Sequence, residues 1–321
     1  MPSASPMRLG ISSCLLGETV RYNGGHKLSE LCSQWIAPEV EFVRFCPESA
    51  AGFGTPRAPM HLVGNAEQPA LVKVLDSSED LRPRLEAGFT PRMQEFAELD
   101  GFILMQRSPS CGLYRVKLFD AEGTQLREQT LGIFARALQT EFPLLPIEEE
   151  GRLHNPQLYD AFMLRAWARR QFRVQVLTAP SHAALTEFHA RYKYLLMAHD
   201  QTASREMGHF LANSSELSLE ERCQGYLKRL MHCLATPATR KNHVNALQHM
   251  LGYLRNKIKP HAYTLLLQKL EQFRLGQQPL HVPLTLLHHY AEQLEQDYLF
   301  QQQYFTPYPP ALNLLNRMEP T

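Results

Sequence analysis

Three cysteines in the first half of the sequence have positions that suit a metal site. Cys14, Cys46 and Cys111 each follow a short apolar run that predicts a β-strand. Because the carboxyl ends of parallel strands meet at one edge of a sheet, these side chains could converge there. Thiolates bind soft metals, whereas burial in the core is the alternative role for each cysteine. The three apolar runs cover residues 9–11, 40–45 and 101–105.

The spacing of these cysteines favours an iron–sulfur cluster over zinc. Structural zinc sites usually pair their cysteines at C-x2-4-C spacing and fill four positions, and neither feature is present. Thiolates select iron–sulfur clusters, and a cubane with three protein ligands leaves one iron open to substrate. Cys32 instead lies on an amphipathic segment and is predicted to be a buried core residue.

The elements around the cysteines alternate between strands and helices. Further strands are predicted over residues 71–75 and 116–119, and helices over residues 28–35 and from Thr90. This alternation predicts an α/β N-terminal domain, a mainly parallel sheet with flanking helices. The acidic run at residues 148–150 is expected to be a solvated linker.

The second half is predicted to be entirely helical. Asn155 and Pro156 suit the cap and first position of a connecting helix, and Ser181 suits the cap of the next helix. Apolar residues then recur at helical spacing, which indicates an all-α C-terminal domain. Helices are predicted at residues 158–172, 219–234, 237–257, 261–273 and 284–303. The predicted domains are residues 1–160, a basic connecting segment at 161–180, and residues 181–321.

The chain is nearly neutral, but its halves are not. Its 321 residues carry 33 Lys and Arg against 32 Asp and Glu, a net charge of +1. That balance argues against a highly basic nucleic-acid-binding protein and against an acidic disordered chain. However, residues 1–160 carry −6 and residues 161–321 carry +7. The helical half therefore suits an RNA backbone, although a solvated basic face is an equal alternative.

The sequence lacks the signatures of membrane-spanning, secreted and dinucleotide-binding proteins. No segment approaches the roughly 18 apolar residues that span a bilayer, and the first nine residues lack the apolar stretch of a signal peptide. A cytoplasmic protein without a membrane partner is therefore expected. Gly52 and Gly54 do not continue into a dinucleotide fingerprint, since Arg57 occupies the position of the third glycine, so no nucleotide cofactor is expected.

Basic residues in the second half are candidate RNA contacts. One group lies on the connecting helix, and the other lies in the first turns of a helix expected to begin near Thr236 and Pro237. A helix N-terminus attracts phosphate, and cationic side chains strengthen that attraction. The candidates are Arg169, Arg170, Arg240, Lys241 and His243.

The segments that flank the cysteines carry five motifs. They are SSCLLG at 12–17, RYNGGHK at 21–27, CPE at 46–48, GTPR at 54–57 and SPSCG at 108–112. This set resembles the DUF523 family, the thiouracil desulfidases. The second half, chiefly at residues 188–199, 238–252 and 282–290, resembles the DUF1722 family. A fusion of the two resembles the tRNA 4-thiouridine desulfidases.

The resemblance implies a catalytic iron–sulfur site. Cys14, Cys46 and Cys111 would hold a [4Fe-4S] cluster with one open iron, which would act on the thiocarbonyl sulfur while water attacks the adjacent carbon. Glu48 would transfer the proton, and capping of the following helix is the alternative role. A serine of the SPSCG motif would contact substrate or sulfide, or only shape a turn. Ser108 is favoured and Ser110 is the alternative.

The resemblance also suggests which residues bind substrate. Residues of the RYNGGHK and GTPR motifs near the cleft would contact its polar groups or phosphate, and a solvated loop is the alternative. These residues are Tyr22, Asn23, His26, Lys27 and Arg57.

Three functions are compatible with these features. In the first, RNA docks on the helical domain and presents one 4-thiouridine, flipped out, to the cysteine-lined cleft. In the second, the same chemistry acts on free thiouracil or thiouridine nucleotides, and the helical domain serves oligomerisation. In the third, the chain is a metal-stabilised RNA-binding protein without turnover.

Overall fold

The chain forms two compact units in a computed structural model that describes residues 6–313. One unit extends to Ala166 and the other is Trp167–Asn313, so the division lies within a single helix, Pro156–Phe172. No helix in the described range is long and apolar enough to cross a membrane.

The first unit contains all the strands of the described chain. They are β1 (Met7–Ser12), β2 (Val40–Phe45), β3 (Met60–Val63), β4 (Ala70–Lys73), β5 (Gly101–Leu104), β6 (Val116–Phe119), β7 (Gln125–Thr130) and β8 (Ile147–Glu149). Its helices are α1 (Pro47–Ala50), α2 (Arg82–Phe89), α3 (Met93–Phe96) and α4 (Ile133–Glu141), and α5 (Pro156–Phe172) leads into the second unit. A short π-helical segment, Leu31–Ile36, stands where a helix was predicted over residues 28–35.

The sheet that positions the cysteines is parallel throughout. Its strand order is β2-β1-β5-β8, with Leu9 paired to both Phe42 and Gly101. The chain moves from β1 to β2 on one side and later to β5 on the other, so the order reverses beside β1. In such sheets the crevice for ligands opens at the carboxyl ends next to this reversal. The predicted α/β fold of the first half is therefore confirmed.

A second sheet in the same unit was not predicted. Its order is β4-β3-β6-β7, in which only β3 and β6 run parallel. The strands predicted over residues 71–75 and 116–119 are β4 and β6 of this sheet. β3 was not predicted, and β7 was missed because its sequence, QLREQT, is mostly polar and most of its side chains are exposed.

Aromatic rings fill the core beneath the first sheet. The Phe134 ring of α4 lies 5.1 to 5.8 Å, centroid to centroid, from the rings of Phe45, Phe89, Phe96 and Phe102. These rings come from β2, β5 and three helices, and all are buried. Edge-to-face packing of this kind fixes the angle of α4 against the ends of the strands.

The second unit is helical, as predicted. Its helices are α6 (His182–His199), α7 (Gln201–Asn213), α8 (Leu219–Ala235), α9 (Arg240–Gly252), α10 (Pro260–Arg274), α11 (His281–Gln293) and α12 (Asp297–Phe300). Two predicted caps are confirmed: Asn155 Oδ1 accepts from the backbone N–H groups of Gln157 and Leu158, and Ser181 Oγ accepts from that of Ala184.

Two predicted helices in this unit have different bounds, and one helix was not predicted. The helix expected from Pro237 begins at Arg240, because Thr239 Oγ caps it by accepting from the Asn242 N–H at 3.2 Å. The helix expected over residues 284–303 is two helices, because the chain turns at Glu295, where φ is +48°. The helix capped by Asp200, α7, was not predicted.

Candidate active site

A cavity of about 480 Å³ lies at the carboxyl edge of the parallel sheet, and all three candidate cysteines line it. Cys14 follows β1, Cys46 follows β2, and Cys111 lies in the loop after β5. The parallel direction of the three strands delivers these residues to the same edge. Other parts of the wall are formed by Tyr22, Glu48, Arg57, Met105, Arg107 and Ser108.

Backbone hydrogen bonds fix the first two cysteines. Cys14 lies in a 3-10 turn that ends at Gly17, where φ is +88°, and its carbonyl accepts from the Lys27 N–H at 2.9 Å. Gly17 adopts this left-handed conformation at no steric cost. Cys46 immediately precedes α1, and its carbonyl accepts from the Ala50 N–H at 3.0 Å. Both cysteines are thus attached to rigid backbone where their strands end.

The N-terminus of α4 fixes the loop that carries Cys111. The Ile133 N–H donates to the Pro109 carbonyl at 3.1 Å, and the Phe134 N–H donates to the Ser110 carbonyl at 2.9 Å. A side chain in place of the hydrogen of Gly132 would meet the Ser110 carbonyl oxygen at 2.5 Å, so only glycine permits this approach. Free N–H groups at the helix start therefore find acceptors in the cysteine loop.

A buried glutamate supports the other end of the same loop. Glu149 Oε1 accepts from the backbone N–H groups of Leu113 (2.9 Å) and Tyr114 (3.1 Å). Glu149 is 4% exposed, and Glu148 and Glu150 are buried beside it. The expectation of a solvated acidic linker at 148–150 was therefore wrong, because β8 pairs with β5 and carries this run inside.

Glu48 is held by two neighbours in the cavity wall. The Arg57 guanidinium donates from Nε to Glu48 Oε2 at 2.9 Å, and its Nη2 also reaches that oxygen. The Ser110 hydroxyl donates to Oε1 at 2.8 Å. Oε2 thus accepts twice from Arg57, whereas Oε1 retains a lone pair for another hydrogen bond. Glu48 is therefore fixed in orientation, yet it can still exchange a proton with a molecule in the cavity.

Two serines of the SPSCG motif occupy different places. Ser108 lines the cavity, and its Oγ accepts from the N–H groups of Ser110 (3.2 Å) and Cys111 (3.1 Å). Because the Ser108 oxygen already accepts these two hydrogen bonds, its hydroxyl hydrogen is free to be donated to another group. Ser110 is completely buried and contacts Glu48 instead.

The thiols lie in a buried and electrostatically coupled group. Burial, with the neighbouring Cys46 thiol adding to it, raises the pKa of Cys14 to about 12, and the charge of Arg21 acts in the opposite direction. Burial, Cys46 and Glu48 also raise the pKa of Cys111 well above its ordinary value. Without bound metal these two thiols are protonated at neutral pH, and a metal must displace their protons to bind.

The three thiol donors suit an iron–sulfur cluster, since cysteine thiolates are the usual ligands of such clusters. The three cavity cysteines offer soft sulfur donors around a common space and therefore fit such a group.

Comparison with known proteins gives matches to both units. Residues 9–150 match the family model for 2-thiouracil desulfurase, and residues 193–309 match the model for DUF1722. Protein YbgA of Escherichia coli is 30% identical over 156 residues, which cover 48% of this chain and 92% of YbgA. Protein YbbK of Bacillus subtilis is 35% identical over 108 residues, which cover 32% of this chain and 71% of YbbK.

The chain belongs to the 2-thiouracil desulfurase (DUF523) family and carries a DUF1722 domain. A solved structure, the [4Fe-4S]-dependent thiouracil desulfidase TudS, is 26% identical and covers 49% of this chain and 99% of TudS, with a TM-score of 0.38. Membership of the desulfurase family indicates an enzyme that acts on a thiopyrimidine.

The predicted substrate-binding residues of this desulfurase-family chain divide into two groups. Tyr22 and Arg57 line the cavity. Asn23 and His26 instead accept backbone N–H groups within their own loop, from Gly25 at 3.1 Å and Leu28 at 3.2 Å. The Lys27 side chain is exposed and does not line the cavity. The structure thus brings only two of the five to the cysteines.

Most of the predicted RNA contacts in the helical unit have partners inside the protein. The Arg240 guanidinium donates to the Phe273 carbonyl and lies over the Phe273 ring. His243 Nδ1 lies 2.6 Å from the Tyr304 hydroxyl, and burial lowers the pKa of His243 to about 4, so its ring is neutral at pH 7. Arg170 is 4% exposed and covers the Trp167 ring. Lys241 is exposed.

Arg169 also differs from a solvated cation. Its side chain is partly buried and has an interaction within the protein. The RNA-binding role of this residue and of the other four stays a prediction.

Sequence reasoning missed several residues of the cavity. Arg21 and Arg107 line it, and Arg107 is in the left-handed region with φ +58°. Ser12 also lines it, and its Oγ accepts from the Met105 N–H at 3.0 Å, which joins the ends of β1 and β5. Ser12 and Arg21 are the first residues of the SSCLLG and RYNGGHK motifs, and Arg107 immediately precedes SPSCG, so membership of a motif or proximity to one was the available signal.

Removal of the Glu149 carboxylate should destabilise the first unit. In Glu149→Ala the buried N–H groups of Leu113 and Tyr114 lose their acceptor, and we expect a loss of roughly 2–4 kcal/mol in the free energy of unfolding. Glu149→Gln keeps one oxygen and should lose about 1 kcal/mol. Denaturant unfolding measures both, with Glu122→Ala as an exposed control. Equal stability of Glu149→Ala and wild type would contradict this role.

Proposed function

We propose that the chain is an iron–sulfur-dependent desulfidase that converts 4-thiouridine in tRNA to uridine. The observation that carries this proposal is the convergence of Cys14, Cys46 and Cys111 on one cavity that also contains Glu48 and Ser108. Family membership supports the reaction class, and the size of the cavity is within the range of small-molecule sites, about 300–1,000 Å³.

The three cysteines would hold a [4Fe-4S] cluster. When bound, the cluster would supply one iron without a protein ligand, a Lewis acid suited to the soft thiocarbonyl sulfur. The neighbouring arginines help to balance the charge of three thiolates, since Arg21, Arg57 and Arg107 line the cavity against one carboxylate, Glu48.

The reaction exchanges one atom and leaves the oxidation state unchanged. Water adds its oxygen to the pyrimidine carbon, the carbon–sulfur bond breaks, and the two hydrogens of water leave with the sulfur as hydrogen sulfide. Glu48 accepts a proton from the attacking water and returns it to the departing sulfur or the ring nitrogen. Arg57 and Ser110 hold the carboxylate in the orientation that this transfer needs.

The serines have separate roles in this scheme. Ser108 donates its hydroxyl hydrogen to the substrate, because it lines the cavity while its oxygen accepts from two backbone N–H groups. Ser110 is a positioning residue, because its hydroxyl reaches Glu48 and not the cavity. The choice of Ser108 as the residue that contacts substrate rests on this difference.

The helical unit supports RNA as the substrate through its charge. Residues 161–321 carry +7, and an anionic RNA backbone is attracted to such a surface. One observation favours the second candidate, a desulfidase of free thiouracil or thiouridine nucleotides: Arg170, Arg240 and His243 already have partners within the protein. Comparison of the two substrate classes therefore decides between them.

The cysteines can be tested by reconstitution. We expect that anaerobic reconstitution of the wild type gives the visible absorbance, bound iron and labile sulfide of an iron–sulfur cluster. Cys14→Ala, Cys46→Ala and Cys111→Ala should each lose most of this signal, because each removes one ligand. The control is Cys223→Ala, a buried cysteine of the helical unit, which should keep the signal. A triple variant that retained full absorbance would rule out these ligands.

The serine assignment can be tested with three variants. Ser108→Ala should lower kcat by roughly 10²- to 10⁴-fold, the usual size of a lost proton-transfer or polarising group. Ser110→Ala should lower kcat about tenfold with little change in KM, and Ser110→Thr, which keeps the hydroxyl, should recover most of it. If Ser110→Thr were as impaired as Ser110→Ala, a purely structural role for Ser110 would replace the positioning role.

The substrate can be identified by anaerobic incubation with bulk thiolated tRNA followed by nucleoside analysis. We expect 4-thiouridine to disappear and uridine to appear, with slower sulfide release from free thiouracil. Lys241→Glu should weaken tRNA binding more at low salt than at high salt while sparing small substrates. Equal rates on thiouracil and tRNA would instead support the second candidate. Binding of thiolated tRNA without loss of sulfur would indicate a binding protein.

A further inference from the structure

A second groove crosses the exposed face of the second sheet in the first unit. Its volume is about 710 Å³, and it is formed by the outward side chains of β3, β6 and β7 together with the loops beside them. The residues that line the groove include His61, Arg107, Arg115, Lys117, Phe119 and Gln129.

The groove adjoins the cysteine-lined cavity. Met60, Arg107 and Pro109 belong to the walls of both. Because these three residues line both, the cavity and the groove lie side by side on the first unit. Pro109 lies between the two serines of the SPSCG motif, so this shared wall is next to the proposed catalytic centre.

The charge of the groove is positive and uncompensated along its lining. Arg107, Arg115 and Lys117 are exposed, and no Asp or Glu is among the groove residues of the described chain. The polar side chains that remain are the amides of Gln125 and Gln129. Such a lining attracts an anion that offers several negative groups in succession.

Two aromatic rings lie on the floor of the groove. The rings of His61 and Phe119 stack at 4.6 Å between centroids with a 27° angle between their planes. Burial lowers the pKa of His61, so the ring is neutral at pH 7 and presents an aromatic face. A stacked pair on a sheet beside cations is the arrangement that proteins use for unpaired bases.

Two of the cations are held in an unusual backbone conformation. Arg107 has φ +58° and Arg115 has φ +53°, which are left-handed values that side chains other than glycine seldom adopt. Such conformations persist where the surrounding structure enforces them, and they concentrate at functional sites. Here they flank the loop that carries Cys111, and both arginines line the groove.

We propose that this groove binds the single-stranded nucleotides that adjoin the thiolated base. Their phosphates contact Arg107, Arg115 and Lys117, a neighbouring base stacks on the His61–Phe119 pair, and the thiolated base enters the cysteine-lined cavity. This inference rests on the proposed function and makes it more specific: the preferred substrate is a thiolated base within an unpaired strand, and the desulfurase unit itself holds that strand.

The test separates binding from turnover. A fluorescent pentauridylate without sulfur is titrated by anisotropy against the wild type, Lys117→Gln, and Arg115→Asn with Lys117→Gln. Asparagine is chosen at 115 because it tolerates positive φ. The matched control is Arg127→Gln, an exposed cation of β7 that is not a groove residue. Steady-state desulfuration is then measured on the same oligonucleotide with one 4-thiouridine and on free 4-thiouridine.

The double variant should raise the Kd for pentauridylate at least tenfold at low salt. The slope of log affinity against log salt should fall by about 0.7 for each cation removed. KM for the thiolated oligonucleotide should rise in parallel with unchanged kcat, whereas kcat/KM for free 4-thiouridine should stay constant. Lys117→Gln alone, an exposed strand position, should show an intermediate effect.

Three results would contradict the proposed role of the groove: no measurable binding of pentauridylate, binding that neither groove variant alters, or an equal loss of affinity in Arg127→Gln. An equal fall in kcat/KM for free 4-thiouridine would also contradict the proposed role of the groove, because Arg115 and Lys117 would then act on the base in the cavity. Failure of the proposed function looks different. In that case no thiolated substrate loses sulfur, while oligonucleotide binding keeps its dependence on Arg115 and Lys117.

Discussion

The candidate site depends on the parallel alignment of three strands. Because β1, β2 and β5 run in one direction, Cys14, Cys46 and Cys111 emerge at one edge although they are distant in sequence. An antiparallel strand at any of these places would put its cysteine at the opposite edge. The aromatic core around Phe134 then fixes α4, whose N-terminus holds the Cys111 loop.

The cavity must balance several negative groups in a small space. Three thiolates beside Glu48 would repel one another strongly if they were dry and unpaired. Arg57 pairs directly with Glu48, and Arg21 opposes the rise of the Cys14 pKa. Arg57 and Arg21 therefore offset negative charge at a buried edge, and Arg57 holds the Glu48 carboxylate in the orientation that the proposed proton transfer needs.

Structural features that follow a repeating sequence pattern were predicted. Features that depend on contacts between residues distant in sequence were missed. Apolar runs located the strands before the three cysteines, and cap residues such as Ser181 located helix starts. Glu149 was misjudged, because three successive glutamates look solvated until the backbone N–H groups of residues 113 and 114 are known to face them. β7 of the second sheet was missed because it is mostly polar, with Leu126 as its one apolar residue. No local pattern reports the pairing of His243 with Tyr304.

Net charge is a poor guide to where an anionic strand would bind in this chain. The positive half uses several of its cations internally, since Arg240 bonds to a helix carbonyl and Arg170 covers a tryptophan. The negative half, in contrast, concentrates Arg115 and Lys117 along a groove that contains no carboxylate among its described lining residues. Attraction between charges falls off within about 10 Å at moderate salt, so the local arrangement of cations matters more than the net charge of the half. In the proposed complex, a half that is acidic in total therefore holds the phosphates next to the reacting base.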